Sequence, residues 1–99
     1  MDNIIYIEER TKMKKAFVKD PEDKLVPVLE IWESIGGWYW YVTEKDIDGD
    51  SDISYGLVDG VEKEWGNFSI EELKSLGNKV WRIDKKHWSY TGRGDIIMA

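Results

Sequence analysis

The 99 residues predict an α+β fold: a mainly antiparallel sheet of about five or six strands, arranged as a roll or partly open barrel, with one short helix near residues 70–76. Three observations carry that expectation. The run Trp38-Tyr39-Trp40-Tyr41-Val42-Thr43-Glu44 alternates with a period of two, so Trp38, Trp40 and Val42 share one face and Tyr39, Tyr41 and Thr43 the other. Glycine and aspartate cluster over residues 46–52 and 59–60, where a returning chain needs residues that tolerate positive φ. Ser69-Ile70-Glu71-Glu72 spells a capping box at the start of a helix.

Taken in order, Ile4 to Ile7 reads as a strand, Glu8 to Lys12 as a polar turn and Met13 to Val18 as the strand that returns. Lys19 to Lys24 is a loop punctuated by Pro21. Leu25 to Trp32 looks extended, and because Pro27 cannot donate to a ladder, the strand is expected at an edge or beginning after the proline. Glu33 to Gly37 turns the chain into the aromatic strand, which carries rings on both sides and is therefore expected to be central. With Gly49 at the apex of the next turn, the return strand Ile53 to Val58 sets Tyr41 opposite Leu57, Val42 opposite Gly56 and Thr43 opposite Tyr55, leaving a gap at Gly56 for a ring such as Trp40. Val61 to Phe68 is a third strand candidate.

In the helix, Ser69 is expected to accept from the backbone of Glu72 while the Glu72 side chain reaches back, with Phe68 and Leu73 as the staple and Gly77 as the left-handed stop. A helix of about two turns cannot stand alone and must pack on the sheet. Lys79 to Asp84 is another strand, Lys85 to Tyr90 a turn and a last extended piece, and the tail from about residue 91 is expected to be loose. A chain of this length predicts a single domain, 1–99, around one core.

Six tryptophans and five tyrosines supply much of that core. There is no cysteine, which removes disulfides, thiolate metal sites and a cysteine nucleophile. The first residues lack a basic region and a long apolar run, and no segment is long and apolar enough to span a bilayer, so the expectation is a soluble, cytoplasmic protein without membrane contact. The net charge of −6 is uneven: residues 1–43 carry six basic and eight acidic groups (−2), residues 44–73 two and ten (−8), residues 74–99 six and two (+4). That balance argues against nucleic acid as a partner, and the basic set Lys79, Arg82, Lys85, Lys86 and Arg93 reads as solvated surface.

No catalytic constellation is legible. His87 is the sole histidine and has no identifiable partner for acid–base work. Asp46, Asp48, Asp50 and Asp52 follow the spacing that opens a calcium loop, with Ile53 at the hydrophobic eighth position. The match fails at position six, where Ser51 replaces glycine, and at position twelve, where Leu57 replaces the bidentate glutamate. The default is an acidic hairpin tip that discourages edge aggregation, and no cofactor is expected; a calcium or magnesium site on these four aspartates is the alternative. Most tryptophans are expected in the core. Trp38, Tyr39, Trp40, Tyr41 and Tyr55 are the candidate recognition surface, because a domain this small has difficulty hiding both faces of its central strand.

The sequence Trp40-Tyr41-Val42-Thr43-Glu44, then Tyr55-Gly56-Leu57-Val58-Asp59-Gly60, then Glu62, Glu64-Trp65-Gly66-Asn67-Phe68-Ser69, Glu72 and Leu73, resembles an uncharacterised domain family of small bacterial, plasmid and phage proteins, over about residues 38–73. The resemblance implies a viral or mobile-element setting and transfers no catalytic residue. The expected function is therefore that of a small, non-enzymatic binding protein with a protein partner or a second copy of itself as homodimer. One alternative is an acidic mimic of nucleic acid that blocks a host nuclease or defence complex, which would need Asp46, Asp48, Asp59, Glu62 and Glu64 in an ordered row. The other is a divalent-metal-binding domain.

Overall fold

β-Branched and aromatic residues fill most of the extended segments, and the chain pairs them into two separate antiparallel sheets. The computed structural model describes residues 16–90 and 96–98. The strands expected over Ile4 to Ile7 and from Met13 lie outside those residues, except that the second is present as β1, Ala16–Lys19. Two compact units divide the chain, one comprising residues up to Val28 and from Asp84 onward, the other Leu29–Ile83.

In the first unit, β1 is flanked by β2 (Leu25–Pro27) and by a C-terminal strand, Ile96–Met98, which becomes β8 in chain order. Phe17 pairs with both Pro27 and Ile97. Pro27 thus sits on an edge strand, where its missing N–H leaves no ladder bond unmade. The tail, expected to be loose from about residue 91, contributes this third strand. The expected Leu25–Trp32 strand is broken in two: the Val28 N–H still donates to Ala16 O at 2.9 Å, but the Leu29 N–H donates to Val42 O at 2.7 Å, and the chain passes into the second sheet. Lys85–Tyr90 forms a 3-10 helix where an extended piece was expected, its first turn closed by the His87 N–H to Asp84 O at 2.9 Å.

The second unit is a five-stranded sheet of β3 (Glu30–Ser34), β4 (Tyr39–Glu44), β5 (Ile53–Asp59), β6 (Lys63–Ser69) and β7 (Val80–Arg82), in the order β6-β5-β4-β3-β7. The aromatic strand β4 is central, as its two-sided pattern predicts. With β6 and β7 as edges, the sheet is open rather than closed into a barrel. One short helix, α1 (Ile70–Lys74), follows β6.

The expected register holds at Tyr41 opposite Leu57 and Val42 opposite Gly56 and fails one residue later, where Glu44 rather than Thr43 faces Tyr55. Thr43 is the extra residue of a bulge, and its hydroxyl donates to Tyr55 O at 3.2 Å. The reason for Gly56 is also not the expected one. A Cβ at this position would lie 1.8 Å from Tyr41 O and 2.9 Å from Tyr41 C, so the glycine admits a neighbouring backbone rather than a ring.

The sheet has two chemically distinct faces. Trp32, Val42 and Val80 form a buried cluster with Leu73 of α1, and Trp40, Phe68 and Ile70 pack against it. The opposite face buries Ile31, Tyr41 and Leu57. Leu73 is the one buried residue of the helix, and with the half-buried Ile70 it anchors α1 to the first face.

Candidate functional site

Strand alternation decides how the aromatic residues can act, because it sends neighbours to opposite faces. Trp38 and Trp40 stand on the helix-bearing face with ring centroids 5.9 Å apart. Tyr39 and Tyr41 stand on the other, stacked 5.9 Å apart at 8°. Tyr55 joins that second face, 5.7 Å from Trp65. The five candidate residues therefore do not form one surface. Tyr41 is fully buried, Tyr39 is half-buried with its hydroxyl donating to Glu33 Oε2 at 2.8 Å, and Trp40 and Tyr55 are half-buried. Trp38 is the most open of the five, at 40% exposure.

A five-residue helix cannot roof a five-stranded sheet. Beside α1 the uncovered part of the first face forms a groove of about 430 Å³, lined by Trp40, Phe68, Leu73 and Leu76 with the polar Asn67 and Glu72. Leu76 is 49% exposed, and Trp38 extends the apolar strip through its contact with Trp40. α1 ends at Lys74, which leaves Leu76 beyond it.

A second concavity of about 440 Å³ opens on the other side of α1's first turn, where Lys45, Lys74 and Arg82 line it with the hydroxyls of Ser51 and Ser54 and the carboxylate of Glu30. Trp32 and Ile70 supply its apolar wall. Lys45 and Glu30 form a close ion pair, and the Trp32 indole N–H donates to Glu30 Oε1 at 3.1 Å. Burial alone would raise the Glu30 carboxyl, but the bonds from Lys45 and Trp32 and the attraction of Lys45 and Arg82 outweigh it and hold the group below its ordinary value. These residues come from β3, the β4–β5 turn, β5, α1 and β7, and no local spacing in the chain signals that they meet.

The aspartate turn does a different job from the one its spacing suggests. Asp46, Asp48 and Gly49 adopt positive φ of 56°, 53° and 80°, and Asp50 Oδ1 accepts from the Asp52 N–H at 3.0 Å, so the carboxylates and backbone here close tight turns. Asp52 leans onto the helix. Its Oδ1 accepts from the Glu71 N–H at 2.7 Å, its Oδ2 accepts from the Ser69 hydroxyl, and its carbonyl accepts from the Ile70 N–H at 3.1 Å. Ser69 in turn accepts from the Glu72 N–H at 3.1 Å. The carboxylate that supports this cap is thus Asp52, 17 residues before Ser69, which takes the Ser69 hydroxyl and the Glu71 N–H rather than the Ser69 N–H that the box assigns to the Glu72 side chain. Among the described residues, no three Asp, Glu or His side chains come together as a metal-holding group.

The hydrogen bond from Ser69, then that from Glu71, hold the Asp52 carboxyl below the ordinary aspartate value of 3.8. A lowered folded-state pKa contributes stability that is fully present above the unfolded value and disappears as pH falls through the folded one. Asp52→Asn is expected to lower the urea midpoint at pH 7, and the gap from wild type is expected to close as pH drops below about 3.8, the ordinary value. Urea titrations at pH 7 and pH 3 measure this; a gap that is the same at both would mean that the cap does not use the ionised carboxylate.

The other candidates fall apart in space. Asp46 and Asp48 lie at the β4–β5 turn, Glu62 beyond the opposite end of β5, and Asp59 is buried. His87 is exposed in the 3-10 helix, and Arg93 of the basic set lies outside the described residues. No described helix is long and apolar enough to cross a membrane.

A small α+β module with an open antiparallel sheet, one face of it partly roofed by a single-turn helix, is the class these features define. The chain belongs to the family DUF2958, described as a protein of unknown function, whose model matches residues 4–90. That match reaches well outside the segment 38–73, on which the resemblance rests, and takes in the first strands as well as β7. No curated protein and no solved structure matches the chain.

Proposed function

We propose that this chain is a small non-enzymatic interaction module that seats an apolar segment of a protein partner in the groove beside α1. The observation that carries the reading is the unroofed strip: Trp40 and Phe68 remain half-buried at the groove, and Trp38 and Leu76 stay 40% and 49% exposed on a face whose centre is fully packed. Large aromatic side chains flanked by polar groups are the usual anchors of protein recognition. The resemblance favours a plasmid or phage context for that partner. Nucleic-acid mimicry has less support, because the acidic groups it requires lie at opposite ends of β5. A metal role has less as well, since Asp52 is engaged by the helix.

The test is affinity capture of the tagged protein from its source cells, with a Trp38→Ser, Leu76→Ser version alongside. One dominant partner that withstands high salt and is lost by at least about tenfold from the double variant is expected, given that interface anchors typically contribute 2 kcal/mol or more. Equal capture by both forms, with their thermal melting unchanged, would rule out the groove. Retention of a second tagged copy of this chain alone would make the partner a homodimer.

A further inference from the structure

We propose that the cleft formed by Lys45, Lys74, Arg82, Ser51 and Ser54 binds a phosphate-type oxyanion carried by a small organic molecule. The inference is independent of the docking groove and rests on charge in an unexpected place. The whole chain is at −6 and the segment around the cleft is acidic, yet three cationic side chains from three separate elements line this one concavity against a single carboxylate. That carboxylate, Glu30, is already engaged by Lys45 and by the Trp32 indole. Arg82 adds a longer-range attraction on Glu30, and Lys74 one on Asp52. The lining therefore sets three basic side chains against one carboxylate, a formal excess of positive charge.

The donor set is suited to an oxyanion with several terminal oxygens. A guanidinium offers a planar fork, the two ammonium groups act as movable point charges, and two hydroxyls can donate where no cation reaches. A phosphomonoester dianion matches the excess charge better than a single carboxylate. Size points the same way: about 440 Å³ is far more than a bare phosphate fills and lies within the range of small-molecule sites. The remaining space is bounded by Trp32 and Ile70, so the organic part of the ligand faces an apolar wall.

Titration of the full-length protein with phenyl phosphate and with inorganic phosphate, followed by two-dimensional amide NMR, tests the proposal. Saturable shifts at Lys45, Ser54, Lys74 and Arg82 are expected. The combined Arg82→Gln, Lys74→Gln variant should weaken binding by about tenfold or more, since each change removes a charge-assisted hydrogen bond to the oxyanion. Both side chains are exposed, so the fold should survive the change. Lys79→Gln, a cation outside the cleft, should leave binding unchanged. Tighter binding of phenyl phosphate assigns the cleft to phosphomonoesters; equal binding of the two assigns it to bare phosphate, which keeps the oxyanion and overturns the organic part. Absence of saturable binding, or equal losses from Lys79→Gln and the double variant, overturns the site altogether.

Discussion

Gly56→Ala is expected to destabilise the protein by more than about 3 kcal/mol, at or beyond the upper end of ordinary overpacking losses. The added methyl would lie 1.8 Å from the Tyr41 carbonyl oxygen, a distance no heavy-atom contact tolerates, and the obstacle is backbone of the central strand rather than the movable end of a side chain. Relief requires β4 and β5 to separate beside the bulge at Thr43. For a domain whose total stability is typically 5–15 kcal/mol, that is a large share of the whole. The internal control is Gly66→Ala. Gly66 is the direct cross-strand partner of Gly56, yet a Cβ there meets nothing within 4 Å, so the change is expected to be neutral or slightly favourable. Urea denaturation followed by circular dichroism reads both. Equal midpoints for Gly56→Ala and Gly66→Ala would show that the close approach is not a constraint on the fold.

Trp32→Ala is expected to cost about 3–5 kcal/mol, the range for emptying a large aromatic from a core. Trp32 lies at the centre of the cluster with Val42, Leu73 and Val80, and the indole N–H also fixes Glu30. Removing it leaves a void beneath α1, whose single buried anchor is Leu73, so the helix is expected to lose order together with the sheet face. Trp38→Ala supplies the contrast. That ring is 40% exposed, and its deletion is expected to cost about 1 kcal/mol, in the range of an average substitution. The pair separates packing from recognition: the first variant should unfold early, and the second should stay folded. Equal losses at the two positions in urea titrations would mean that the buried cluster around Trp32 is not the centre of stability.

Much of the second unit was legible because its signals are local. The period of two in Trp38 to Glu44 marks a central strand with both faces occupied, and β4 is that strand. Ser69 marks the helix start, and the cap bond to the Glu72 N–H is present at 3.1 Å. Gly77 does adopt positive φ, at 62°. The register of Tyr41 with Leu57 follows from the turn and the alternation alone. The bulge at Thr43 was not legible, because a bulge adds one residue to one strand without altering composition or period over the few residues that sequence patterning samples. The 3-10 helix at Lys85–Tyr90 was missed for a related reason: six residues with no clear period fit a turn, a strand end or a single tight helical turn equally well.

The candidate sites were less legible than the fold. Aromatic content pointed to strand β4, but a list of aromatic residues does not say which face each occupies or which neighbours cover it: Trp38 stays 40% exposed, whereas Tyr41 proved fully buried. The four aspartates suggested a metal loop by spacing, whereas Asp52 turns to the helix because the β5–β6 hairpin brings Ser69 opposite Ile53, directly beside it. The cleft at Lys45, Lys74 and Arg82 left no trace in the sequence at all.

Periodicity, turn chemistry and capping, which act over a few residues, were enough to determine that this chain makes an antiparallel α+β protein with an aromatic central strand and one short helix. Which carboxylate caps that helix, why Gly56 must be glycine and where three cations meet in an acidic chain were decided only by the tertiary structure. The physical reason is range: hydrogen bonds, steric exclusion and charge act between residues that the pairing of strands brings together, at separations along the chain that no local pattern encodes.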